Sequence, residues 1–454
     1  MSASLPVSGS ALLRVCVSLL PVPAMLLVTP LTLPQRLVLG VLIVVILWWV
    51  TGLVERTVAS LVLLAAFLAF SGARVETVLT FPKSENFWMI LAAFLFSQGI
   101  ANSGLAERLL QPLLARFAKT VGQLLAMMAV SAVLMIFIIP QPFSRVIILV
   151  LIFKGYFDKI NLSTKVKETV LFALFLFSAF LNMLMLRGDI IMNNALLSMS
   201  GVSLAETEWM RYMTLPTAIY FLLAVGLFRF QFRRELAGYV NTEVQPAAGV
   251  QLSQRERICL ALILLVVVLW ALEEVHGVSS LAVAIGGTAV MFPAGLLRLR
   301  DLRSVNVRLM VFLTAAFSIG GVLKETGVAD IIFSRLVCLF PKEFSLAYAA
   351  VTLVISMALH MILGSNVTTM SVVAPGLMAA GAGIAPPVAM MFLIYIGVCG
   401  HFLLPFHNVI LLLGEGDGCY SSRYMLRFGI PLTGLTLLSG VFLYMGWWQI
   451  SGLL

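Results

Sequence analysis

The sequence predicts an all-α polytopic membrane protein, with about eleven transmembrane helices and two re-entrant hairpins in an inverted repeat. Three observations carry that prediction. Of 454 residues, 61% are hydrophobic and only 11% charged, against about 25% charged in a soluble domain. Apolar runs of roughly 20 residues, the length that crosses a bilayer core, recur along the whole chain. Two further apolar stretches are too long for one span, and polar or proline-bearing residues break each in the middle.

The elements follow in order. Residues 1–36 hold a first span at 11–30, preferred over a signal peptide because no small-residue cleavage site follows it. A first transport repeat, 37–230, contains spans at 37–53, 56–71, 88–103, 166–186 and 208–230, with a hairpin at 121–157. The polar stretch 231–257 reads as a cytoplasmic linker. The second repeat, 258–454, has spans at 258–275, 279–297, 309–323, 386–405 and 424–446 and a hairpin at 343–384. The hairpin interruptions are Ile139-Pro140-Gln141-Pro142-Phe143-Ser144-Arg145 and Leu363-Gly364-Ser365-Asn366-Val367-Thr368-Thr369. Such backbone is tolerated at membrane depth only inside protein or beside a water-filled cavity, which places both tips mid-membrane.

Loop charges set the orientation. Arg229, Arg233, Arg234, Arg255 and Arg257 mark the linker as cytoplasmic, and Arg298, Arg300, Arg303 and Arg308 do the same for 298–308. Lys119, Lys154, Lys159, Lys165 and Lys167 bracket the first hairpin, which opens to the cytoplasm; the second, flanked by an uncharged loop, opens to the other side. The pattern implies a bacterial inner-membrane protein with a cytoplasmic N-terminus. The net charge of +9 is spread over short loops, so it is no nucleic-acid signal. The five cysteines show no metal or redox spacing, and no metal site is expected. HExxH and GxSxG motifs are absent, and no catalytic residue is expected.

The halves resemble each other. Ala93-Phe94 with Ser103-Gly104-Leu105-Ala106 matches Ala316-Phe317 with Thr326-Gly327-Val328-Ala329 at an offset of 223 (327 − 104). That offset sets Pro142-Phe143-Ser144-Arg145 on Ser365-Asn366-Val367-Thr368. A second offset of 215 (408 − 193) sets Asn193 on Asn408. Inverted repeats whose broken helices meet at the midplane are a transporter architecture, so a secondary carrier is expected. A channel, which needs no opposed tips, and a membrane-embedded enzyme are the alternatives.

Gly364-Ser365-Asn366-Val367-Thr368-Thr369 in a re-entrant hairpin resembles the Ser-Asn-Thr signature of the divalent anion/sodium symporter family of the ion transporter superfamily. Asn102-Ser103-Gly104-Leu105-Ala106-Glu107-Arg108 is similar to that family's sequence too. The resemblance implies an elevator-like symporter for a small anion (carboxylate, sulfate or sulfonate), with sodium as coupling ion and a homodimeric assembly. The first tip departs from the pattern, carrying Gln141-Pro142-Phe143-Ser144-Arg145, and Val367 stands where the family has Thr. Sodium coupling is therefore expected to be weakened or replaced, with proton coupling or exchange as the alternative.

The expected substrate-binding residues are Ser144, Arg145, Asn193, Ser365, Asn366, Thr368, Thr369 and Asn408. Gln141, Asp189, Gly364, Asn366 and His407 are the coupling-ion candidates. Arg145 at a tip either binds the anion or replaces a sodium, unless it snorkels or pairs with a buried carboxylate. Asp189 either binds a cation or proton, or neutralises Arg187 or Arg145. Asn193 and Asn408 either line the site or bond backbone freed by the breaks. His360, His401 and His407 read as packing residues, with His407 the best proton relay among them.

Overall fold

A computed structural model describes residues 17–27, 31–105, 108, 116–138, 142–160, 162–239, 252–272, 276–328, 331, 336–363, 366–404 and 407–454. The longer helices of the first half are α1 (Leu33–Thr51), α2 (Arg56–Phe70), α3 (Glu85–Ser103), α4 (Val121–Ile138), α5 (Pro142–Lys159), α6 (Thr164–Phe180), α7 (Ile190–Ser200) and α8 (Glu206–Gln231). Those of the second half are α9 (Gln254–Ala271), α10 (Ser280–Met291), α11 (Val307–Glu325), α12 (Leu346–Leu363), α13 (Asn366–Ala380), α14 (Pro387–Cys399), α15 (Val409–Gly416) and α16 (Ser422–Leu438). A π-helical turn, Ser439–Tyr444, carries α16 on to Ser451. No strand occurs among the described residues. The protein is an all-α polytopic membrane protein. Thr164–Leu184, Glu206–Gln231, Val307–Glu325 and Ser422–Ser451 are long and apolar enough to cross a bilayer unaided, and seven shorter apolar helices accompany them.

The helix order runs twice. From α3/α11 to α8/α16 the paired helices start 216 to 225 residues apart (from 422 − 206 to 346 − 121). Gly104 and Gly327, aligned in the sequence, both follow their helix with positive φ, +76° and +72°. Only glycine adopts that left-handed cap without a Cβ penalty.

Burial separates core from periphery. α6 from Thr169 onward and α14 from Ala389 onward are apolar on nearly every face and wholly buried, as such helices must be. Large apolar side chains stand exposed on α8 (Leu222, Leu223, Phe230) and α16 (Leu426, Ile430, Leu438), the surface that lipid covers. Residues 139–141 between α4 and α5 and 364–365 between α12 and α13 lie outside the described residues, as do 11–16 and 28–30 of the first predicted span and 240–251 of the linker. Across the centre the halves interlock. α7 packs on the second hairpin through α13, and α15 touches the first through α5.

Candidate functional site

Both core helices break inside otherwise apolar sequence. α6 ends at Phe180 and gives way to two 3₁₀ turns, Leu181–Leu184 and Leu186–Asp189, before α7 begins. The α-helical part of the predicted span 166–186 thus stops at Phe180, and a 3₁₀ turn carries it on to Leu184. A break frees backbone carbonyls, and in a dry interior each must find a donor. Here they do. Asn193 Nδ2 donates to the carbonyls of Asn182, Met185 and Leu186 at 3.1–3.2 Å. Trp209 Nε1 donates to Met183 O at 3.2 Å and Thr214 Oγ1 to Leu184 O at 2.7 Å. Asn193 Oδ1 accepts from Tyr395 Oη at 2.5 Å, which ties the break to α14. Asn193 is fully buried, and these bonds give it the backbone-holding role, away from the cavity wall.

Arg145, in the first turn of α5, is 1% exposed. Its Nη2 donates to Asn182 Oδ1 at 2.5 Å and to Gly188 O at 2.6 Å, so the guanidinium grips the break rather than lining the cavity. Asp189 N-caps α7, and its Oδ1 accepts from Ile191 N at 3.1 Å and Met192 N at 3.0 Å. Arg187 is taken by Glu206 at 3.9 Å, whereas Asp189 interacts electrostatically with Arg145. The buried cation and the cap carboxylate therefore compensate each other.

The chain passes Gly188 so closely that a Cβ there would lie 2.1 Å from Asn182 O. Gly188→Ala should destabilise the protein by about 3 kcal/mol or more, because backbone has to move. Gly226, which has open space at its Cβ position, provides the control. Thermal unfolding of the purified variants checks this: Gly226→Ala should melt like the wild type and Gly188→Ala well below it.

The second break mirrors the first in position but not in charge. α14 stops at Cys399, and the freed Gly400 carbonyl accepts from Tyr220 Oη at 2.5 Å and Thr436 Oγ1 at 2.8 Å. Asn408 N-caps α15 through Oδ1, accepting from Ile410 N at 3.0 Å and Leu411 N at 3.3 Å. By cap position Asn408 corresponds to Asp189 (408 − 189 = 219), where the sequence offset sets it beside Asn193. Asn366 and Thr369 open α13 at the second tip. Asn366 Oδ1 and Thr369 Oγ1 are buried and make no hydrogen bond among the described residues. Such orphaned groups in a native interior need an explanation, and a ligand supplies one.

Between the breaks lies a cavity of about 50 Å³, walled by Asn182 and Asp189 from the first half and by Asn366, Tyr395, Cys399 and Asn408 from the second. A water needs about 10–15 Å³ by this measure, so a few waters or one carboxylate-sized group fit. Of the predicted residues, Asp189, Asn366 and Asn408 meet at this cavity, while Arg145 and Asn193 support it from behind. Gln141, Gly364 and Ser365 lie outside the described residues, as do the side chains of Ser144 and Thr368.

A family model described as citrate transporter matches residues 46–397. The chain belongs to the citrate transporter family. This family lies in the ion transporter superfamily, and its members are transporters, not enzymes. A search of curated proteins returns no match. As a member of the citrate transporter family the chain is an integral membrane protein that moves a small molecule across a lipid bilayer.

Beside the second tip of this citrate transporter family chain, three histidines converge. His360 Nε2 donates to His407 O at 3.1 Å, and His360 Nδ1 lies 3.4 Å from His401 Nε2. His401 Nδ1 lies 3.4 Å from Thr433 Oγ1. His407 Nδ1 accepts from the amides of Leu403 (3.1 Å) and Leu404 (3.4 Å), so that nitrogen carries no proton. Each histidine alone resembles ordinary packing, and only the fold brings residues 41 apart, His360 and His401, into contact.

Proposed function

We propose that this chain is a secondary carrier of citrate-type carboxylates, binding substrate in the cavity between the two helix breaks and exposing it alternately by an elevator-like movement. The observation that carries the reading is the meeting of two capped half-helices, α7 and α15, with the orphaned Asn366 oxygen of the second tip at one cavity. The cap side chains take amides in the first turn of each half-helix, and the positive dipole ends of α7 and α15 still favour an anion. Asn supplies both donors and acceptors for carboxylate and hydroxyl groups. The contracted cavity admits part of a tricarboxylate only, which fits a site that must open to load.

The charges support a departure from sodium symport at the first break. Its carbonyls already accept from Asn193, Trp209, Thr214 and Arg145, leaving a hard cation poor ligands there. A sodium ion about 4 Å from Arg145 would meet a repulsion of about 4 kcal/mol at an effective dielectric near 20. Any coupling cation belongs nearer Asp189, Asn366 and Thr369. The resemblance to the divalent anion/sodium symporters, inverted halves, a homodimer and a bacterial inner-membrane location with the N-terminus inside belong to the same reading. A second reading of the coupling, by protons, rests on the histidine cluster.

Asn366→Ala tests the site. Among the described residues the side chain makes a 3.6 Å contact from Nδ2 to Cys399 Sγ and interacts with the His360 ring. Its oxygen is buried without a hydrogen bond among those residues, so removing the side chain forfeits little folding energy. Saturable citrate uptake into proteoliposomes should fall by about 100-fold or more, with the melting temperature nearly unchanged. Uptake at the wild-type level would place the substrate elsewhere.

A further inference from the structure

A second cavity lies away from the transport site, where the start of α6, the residues just after α8 (232–235) and the start of α16 meet. It is a cleft of about 430 Å³ with an aromatic floor and cationic walls. The floor is Phe232 stacked on Tyr424, with ring centroids 5.6 Å apart and 19° between planes. Arg427 lies over Phe232 at 4.5 Å and pairs with Glu235 at 2.6 Å. Glu168 accepts from Tyr424 Oη at 3.1 Å. Both carboxylates of the cleft are thus engaged. Lys165, Arg234 and Arg423 line the cleft as well, and their side chains make no hydrogen bond or ion pair among the described residues. Four cations face two carboxylates; Arg234 also acts on Glu235 through space, and Lys165 and Arg423 pair with no group of opposite charge among the described residues.

We infer that this cleft binds a phosphate-bearing anion, supplied by the headgroup of an anionic phospholipid. Size and charge fit a glycerophosphate group, which presents several acceptor oxygens to Arg and Lys donors. Position selects the lipid. Arg423, Leu426, Arg427 and Ile430 fall at i, i+3, i+4 and i+7 on α16 and share one helix face. Leu426 and Ile430 are 47% and 61% exposed, so apolar surface begins within one turn of the cations. On α8, Phe230 is 70% exposed under the Arg233 guanidinium. Cations at a helix end followed by exposed aliphatic groups give a headgroup site with a bed for acyl chains. Lys165 and Arg234 belong to the loops that the positive-inside pattern places in the cytoplasm, the side where anionic lipid accumulates.

The test uses the full chain in neutral detergent at constant ionic strength, titrated with short-chain phosphatidylglycerol, phosphatidylcholine or inorganic phosphate. Melting temperature and lipid retained in native mass spectra are read. Phosphatidylglycerol should raise the melting temperature saturably and stay bound at about one per chain, while phosphatidylcholine should not. Lys165→Gln/Arg423→Gln changes only exposed side chains and should weaken that response about tenfold or more. An equal response to inorganic phosphate, lost in the same variant, would assign the cleft to soluble phosphate anions with the same chemistry. A response to phosphatidylglycerol unchanged in the double variant would overturn the inference.

Discussion

Arg145→Gln should abolish citrate uptake and also lower the melting temperature, and the double variant Arg145→Gln/Asp189→Asn should recover the second but not the first. Arg145 is 1% exposed and makes two short bonds, to Asn182 Oδ1 and Gly188 O. Its charge compensates Asp189 at the N-cap of α7. Removing one member of a buried pair leaves the other uncompensated, which costs about 3–5 kcal/mol. Asparagine at 189 removes that stranded charge and still caps α7 through its side-chain oxygen. Stability should return.

Transport should not return, because a carboxylate entering the cavity needs a positive charge behind Asn182 and Asp189. The guanidinium lies behind the cavity wall, so it acts on a bound carboxylate through its field. At about 6 Å with an effective dielectric near 20, its loss should weaken citrate binding by about 100-fold. Arg145→Lys keeps the charge without the planar fork and should fall between the two. Binding to purified protein and uptake into proteoliposomes are the measurements. If the double variant takes up citrate within about threefold of wild type, Arg145 is one half of a structural pair and contributes nothing to substrate. Sodium titration at constant ionic strength adds an independent check. Steep cooperative enhancement requiring two or more sodium ions would contradict a guanidinium in place of a sodium site.

The sequence makes the site visible wherever a charge or a proline interrupts an apolar run. Arg145, Asp189, Asn366 and Asn408 stand out for that reason, and the structure brings each of them to the cavity or directly behind it. Asn182, Tyr395 and Cys399 were hidden by the same logic. Each is one mildly polar residue inside a long apolar segment, and its meaning depends on where the helix breaks. That break is a tertiary decision. α6 stops at Phe180, with no proline or charge until Arg187, because Asn193, Trp209 and Thr214 are placed to receive the freed carbonyls. A sequence offset of 215 sets Asn193 on Asn408, yet a shift of four residues in the register makes Asp189 the cap equivalent. Apolar periodicity finds the helices, and donors from other helices decide where they end.

The histidine cluster leads to the last expected result: His360→Gln should uncouple transport from the proton gradient while sparing exchange. The wiring decides which residue holds the proton. His407 Nδ1 accepts two amides and stays unprotonated, so an added proton sits on the His360–His401 pair. His360 Nε2 must carry hydrogen to reach His407 O. Thr433 Oγ1 has one hydrogen, and its 2.9 Å bond to Gly429 O uses it. Thr433 then receives a bond from His401 Nδ1–H, which leaves His401 Nε2 as acceptor and requires a hydrogen on His360 Nδ1. With both nitrogens protonated His360 is an imidazolium, and every contact in the chain is made. The neutral chain leaves one contact unfilled. A proton taken up by the cluster would therefore sit on His360, where an anion bound in the cavity would lower the energy of the charged form. Glutamine at 360 can donate to His407 O and accept from His401, but it cannot hold a proton. Citrate counterflow in proteoliposomes should stay within about threefold of wild type, whereas accumulation driven by an imposed pH gradient should drop about tenfold or more. Gradient-driven accumulation that survives in His360→Gln would return the three histidines to the role of buried packing residues.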